Sequence, residues 1–137
     1  MKVDRKDTNE LNQRPNAWHY PGDRARSLKH RAWSRAKSQA AYREEEWAIE
    51  ESYWMTELWT DSLWPRRGRG STDLGMTRWD PEKPWQPDNV FIITRRGHVA
   101  WGHTHGGAEL AETEPGVWDI TGETLAKYLY QQQWKRK

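Results

Sequence analysis

The chain has 137 residues, an apolar share of 34% and a formal charge of +2, with a mean hydropathy of -1.21. That length suits one domain with tails, and no run approaches a membrane span. With no cysteine, disulfides and thiolate metal sites are excluded.

Chains this polar are often disordered, but disordered chains are poor in aromatics, and this one carries eleven Trp and five Tyr. A folded core built from tryptophan is expected. Each indole N–H needs a partner, so such a core tends to reach the surface.

Residues 1–21 are polar, hold Pro15 and Pro21, and show no periodicity, so they read as an N-terminal arm. The opening stretch "MKVDRKDTNELNQRPN" lacks the apolar segment of a secretory signal, and a cytoplasmic location is expected. The remainder, 22–137, reads as a single domain of α+β class.

From Arg24 to Trp59 no Gly or Pro interrupts a run of helix formers. Trp33, Ala40, Trp47 and Trp54 recur every seven residues, with Ala36 and Leu58 near the same stripe. This spacing predicts a helical region over 22–60, as one long helix or as two with a break between Ser38 and Arg43. The tryptophan stripe reads as core packing. Charge is unevenly spread along the region: Arg14, Arg24, Arg26, Lys29, Arg31, Arg35, Lys37 and Arg43 face Asp23 alone, and Glu44 to Asp61 is purely acidic. A basic block of this kind can track a phosphate backbone, and on charge alone a solvated helix face explains it equally well.

Residues 61–73, with Pro65, Gly68 and Gly70 among Arg66, Arg67 and Arg69, form a basic loop. "LGMTRW" reads as a short strand, "DPEKPWQPDN" as a proline- and Asx-rich turn, and "VFIIT" as the most strand-like segment of the chain. "RRGHVAWGH" opens a short helix despite Gly97 and Gly102. A loop is expected over 106–120. A closing helix is expected over 121–137, with Thr121 as N-cap, Glu123 in the first turn and a basic end.

The order strand, turn, strand, helix over 74–105, read as "GMTRWDPEKPWQPDNVFIITRRGH", resembles the HNH endonuclease family, particularly the small phage-borne type. In that family a basic helical region precedes a segment of the form S-L-D-R/H-I-D-P-x-K-G-Y-x-P-x-N-V. Asp80-Pro81 and Lys83 match the D-P-x-K element, Trp85 the aromatic, and Pro87 with Asn89-Val90 the P-x-N-V. His98 stands nine residues after Asn89, where the family has its final Asn or His.

The resemblance implies a ββα-metal finger behind a long N-terminal helical region. It assigns Arg78, Asn89 and His98 to the catalytic positions, and a divalent metal, Mg or Zn, to His98 with Asp80. The middle Asn bridges the loop. Asn89 and His98 are expected close together at a strand-to-helix corner, facing Arg78. Where the family's commonest form has an acidic ligand and a His base, this chain has Thr77 and Arg78. An arginine stays protonated and cannot serve as base, and a threonine is a poor ligand for a hard cation. The expected function is therefore nucleic-acid binding with weak or lost metal-dependent phosphodiesterase activity. Arg31, Arg35, Lys37, Arg66, Arg67, Arg69, Arg95 and Arg96 would contact DNA.

Two alternatives remain open at this point. One is a structural or inhibitory phage protein that binds a protein partner through the acidic, Trp-rich stretch from Glu44 to Trp59. The other is an active endonuclease using Asp73, Asp80 or Asp88 beside His98. His98, His103 and His105 suit zinc as imidazoles, but their spacing is not a strong ligand signature.

Overall fold

The computed structural model describes residue 14 and residues 17–135. Most of the arm expected over 1–21 lies outside the described residues, as does the end of the closing helix. Within the described residues the chain is a mixed α+β fold with a four-stranded sheet. No helix among them is long and apolar enough to cross a membrane.

Helix α1 runs Arg24–Tyr42 and starts where Asp23 accepts the Arg26 N–H at 3.0 Å. It stops at the break that the sequence allows between Ser38 and Arg43. Glu44 turns the chain with a positive φ of 60°, and the Glu45 N–H returns to the Ala40 carbonyl at 2.8 Å. The seven-residue tryptophan period therefore does not mark one continuous helix. Trp47 lies in an extended segment that bridges to Trp85, with the Ala48 N–H on the Trp85 carbonyl and the Trp85 N–H on the Glu46 carbonyl.

Helix α2 begins at Glu51–Tyr53 and widens at once into a π turn over Trp54–Leu58, closed by the Trp59 N–H on the Trp54 carbonyl. Widening leaves carbonyls without their usual donors. The Lys29 ammonium, buried in α1, donates to the Met55 and Trp59 carbonyls and fills that need. Charge of this sign also suits a helix C-terminus.

Strands β1 (Leu74–Arg78) and β2 (Val90–Thr94) pair antiparallel, with Thr77 opposite Phe91 and Arg78 opposite Val90. Helix α3 (Arg95–His103) follows directly, its first turn capped by the Thr94 hydroxyl on the Gly97 N–H. Residues 106–120, expected as a loop, contain a hairpin: β3 (Leu110–Glu114) and β4 (Val117–Ile120). β4 runs parallel to β2, which gives the sheet order β1-β2-β4-β3. The closing helix, α4, spans Gly122–Lys135. Thr121 stands at its N-cap position as expected, its carbonyl accepting the Leu125 N–H, and the Glu109 carboxylate accepts the Glu123 N–H.

Alternation along the strands separates two apolar faces. Leu74, Val90, Ile92 and Val117 join Ile49, Trp54, Leu58, Trp59 and Leu63 in the main core, under α1 and α2. The other face carries Phe91, stacked on Trp79 at 3.6 Å, with Trp101 of α3 and Trp118 of β4 edge-on. A Cβ at Gly97 would come within 2.9 Å of Ile93, so a glycine there lets α3 lie close to the sheet. The expected tryptophan core is present. Its indoles are largely satisfied: Trp33 and Trp47 donate to the Ile49 carbonyl, and Trp54 to that of Lys29.

Candidate functional site

The turn between β1 and β2 is organised by one buried amide. Asn89 accepts the Asp80 N–H and donates to the Asp80 carbonyl, both at 2.9 Å, and also donates to the Pro84 carbonyl at 3.0 Å. Asn89 is only 4% exposed, so each of these bonds replaces lost solvation. Its side chain closes the proline-rich turn across nine residues, which is the loop-bridging task the resemblance assigns to the middle Asn.

Arg78 is occupied elsewhere. Its guanidinium donates to Glu45 at 2.9 Å and to the Lys83 carbonyl at 3.0 Å, and lies 4.8 Å over the Trp85 ring. Burial alone would raise the Glu45 pKa, but hydrogen bonds from Trp85 and Arg43 and the charges of Arg78 and Arg43 hold it below the ordinary carboxylate value. The pair clamps the turn to the segment after α1.

Arg78 shares its strand face with Leu74 and Val90, on the main-core side. Helix α3 sits on the opposite face, where Gly75 approaches Arg95 and Phe91 meets Trp101. The expected grouping of Arg78 with His98 is thus corrected: strand alternation directs the Arg78 side chain away from α3. Thr77, paired with Phe91, lies with Gly75 on the α3 side of β1.

His98 is half-buried on α3, and burial first, then the Arg95 charge, lowers its pKa from the ordinary histidine value. The Asp80 carboxylate accepts the Glu82 N–H at 2.9 Å, closing a local Asx turn. Among the described residues, neither His98 nor Asp80 belongs to a trio of His, Asp or Glu with ligand atoms in reach of one ion, and the same holds for His103 and His105.

The basic residues divide into two groups. Arg66 pairs with Glu114 of β3, Arg67 stacks on Trp64 at 4.3 Å, and Arg96 pairs with Asp119 at 2.8 Å. These three are engaged in holding the fold, as is Lys29. Arg31, Arg35, Lys37, Arg69 and Arg95 are exposed, as are Arg66 and Arg67, and Lys37 lies 5.2 Å over the Trp33 ring. On α1, Arg24, Arg31 and Arg35 follow at intervals of seven and four, which places them within one narrow stripe of the helix surface, extended by Tyr42. Tyr42 is 90% exposed. Helix α1 contains no acidic residue.

The acidic stretch from Glu44 to Trp59 does not present its tryptophans. Trp54 and Trp59 are core residues and Trp47 is half-buried, leaving Glu44, Glu46, Glu50 and Glu57 as its exposed chemistry.

One cluster escaped the sequence reading. His19, His30 and Glu51 bring their ligand atoms within 4.8 Å of one another. Their wide separation in sequence and the arm-like composition around His19 gave no signal for it.

No protein-family model, curated protein or solved structure matches the chain.

Proposed function

We propose that this chain is a nucleic-acid-binding protein built on an HNH-like ββα scaffold, with phosphodiesterase activity weak or lost. The observation that carries the reading is the exposed basic stripe of α1, where Arg24, Arg31 and Arg35 align on a helix without any acidic residue. Eleven residues of α-helix span about 16 Å, enough for a row of guanidinium groups to follow several phosphates of one strand. Arg69 and Arg95 add exposed charge around β1 and α3.

The scaffold part of the reading rests on the strand-turn-strand-helix order of 74–103 and the Asn89 brace; the opposite faces of Arg78 and α3 count against it. Loss of hydrolysis is supported by the Arg78 contacts, which engage that guanidinium with Glu45 and the Lys83 carbonyl.

The test is an equilibrium titration of a short labelled duplex DNA at increasing salt. Affinity is expected to fall steeply and linearly on a log-log scale, because binding releases condensed counterions. Absence of binding at low salt overturns the reading.

A further inference from the structure

The residues just before α1 are not free tail. The buried Ser27 hydroxyl donates to the Tyr20 carbonyl at 2.9 Å and accepts the Tyr20 N–H at 3.1 Å. The Asp23 N–H also returns to the Tyr20 carbonyl, so residues 20–23 form a tight turn pinned to the first turns of α1. This clasp carries His19 onto His30 of α1, with the two rings stacked at 3.6 Å. From the other side, α2 presents Glu51, whose Oε1 lies 3.0 Å from His30 Nδ1 and accepts the Tyr20 hydroxyl.

We propose that His19, His30 and Glu51 form a site for a late first-row divalent cation, with zinc as its best occupant. Two imidazoles and one carboxylate are a donor set that zinc takes, and a borderline cation prefers it over the all-oxygen sets of Mg or Ca. Neighbouring ligand atoms around a tetrahedral zinc with bonds of about 2.0–2.1 Å stand about 3.3 Å apart, so the His30–Glu51 spacing needs only a small opening. The exposed His19 ring turns out of its stack to bring its lone pair to the ion. Tyr20 donates to the same Oε1, the role of an outer-shell donor that fixes a ligand's orientation.

Three protein ligands leave one position open, and His19 and His30 line a cleft of about 200 Å³ with Trp18, Arg31 and Ser34. The ion would link the segment before α1, α1 itself and α2. It is a staple across elements that the sequence separates. The site lies apart from the finger loop and does not depend on the nucleic-acid reading.

The experiment titrates the metal-free full chain with ZnCl₂, following binding by calorimetry and the imidazole ring signals by long-range ¹H–¹⁵N NMR. One zinc per chain is expected, with the His19 and His30 ring signals shifting together up to one equivalent. In melting experiments, zinc at 100 times its Kd should raise the wild-type midpoint, and this gain should vanish in H30A and E51Q but persist in H103A/H105A. Zinc that shifts the rings of His98, His103 or His105 in place of those of His19 and His30 overturns the site, as does no saturable binding. The ring signals are read on the unaltered protein, so the result stands even where a variant fails to fold.

Discussion

Arg78 and Glu45 form an ion pair at 2.9 Å that joins strand β1 to the turn after α1. The two side chains are 11% and 23% exposed. They are therefore shielded enough for the contact to matter, and the Trp85 ring and its N–H complete it on both partners. This arrangement spends the guanidinium on folding. Arg78→Ala is expected to destabilise the protein by about 1–3 kcal/mol in urea unfolding, by removing a hydrogen-bonded, partly buried charge pair.

The same contact decides an expectation about chemistry. Placing a ligand and a base at the family's positions, with Thr77→Asp and Arg78→His, would direct the new imidazole to Trp85 and Glu45 rather than to α3. Nicking of a supercoiled plasmid with Mg²⁺, Mn²⁺ or Zn²⁺ should stay at the level of the blank for both wild type and this variant. Strong nicking by the wild type that disappears in His98→Ala would contradict the proposal that hydrolysis is weak or lost.

Asn89 closes the turn with one acceptor and several donors. Asn89→Ala should cost about 2–4 kcal/mol, since it strips partners from several groups of a buried loop. Asn89→Asp keeps the acceptor for the Asp80 N–H but sets a negative charge against the Asp80 and Pro84 carbonyls. It should therefore destabilise at neutral pH and recover partly on acidification. Chemical denaturation at pH 7 and pH 4 checks both.

Much of this region was legible in the sequence. Proline and Asx residues bounded "VFIIT" so sharply that β1, β2 and α3 could be placed by their turn chemistry. The end of α1 was harder to place, because the residue in the left-handed conformation is Glu44 and no glycine marks it. The β3–β4 hairpin was read as a loop because Glu112, Thr113 and Glu114 are exposed polar residues on an edge strand, without an apolar alternation to betray it. Sequence alone also could not show that Arg66 and Arg96 pair with Glu114 and Asp119, which lie far along the chain. The Asn89 brace was anticipated from the resemblance, whereas the direction of Arg78 depends on strand register.

Lys29 shows the same limit most plainly. Its charge suggests solvent or phosphate, yet it is 6% exposed, and burial lowers its pKa from the ordinary lysine value. Lys29→Met should leave the Met55 and Trp59 carbonyls without their donor at the π turn. A loss of about 2–4 kcal/mol is expected, with no change in the salt dependence of DNA binding.

Asp119 anchors the opposite end of the sheet. Burial would raise its pKa, but hydrogen bonds from Arg96, Thr94 and the Ile120 N–H, together with the Arg96 charge, hold it below the ordinary aspartate value. A carboxylate depressed in the folded state binds its proton more readily when unfolded. Its contribution is therefore complete above the ordinary value of about 3.9 and fades as pH falls through it towards the folded value. Asp119→Asn should destabilise by about 3 kcal/mol at pH 7, because Arg96 loses its charged partner, and should flatten the fall in stability below about pH 4.

The most direct measurement is the salt slope of duplex-DNA binding for wild type beside Arg31→Ala/Arg35→Ala, with Arg66→Ala/Arg96→Ala as the comparison. Removing two phosphate contacts from the α1 stripe should reduce the log-log slope by about 1.8, at about 0.9 per contact. The comparison variant should be less stable, since Arg66 and Arg96 pair with Glu114 and Asp119, and should keep the wild-type slope. An unchanged slope in Arg31→Ala/Arg35→Ala, or no binding by the wild type at low salt, contradicts a phosphate-tracking role for α1.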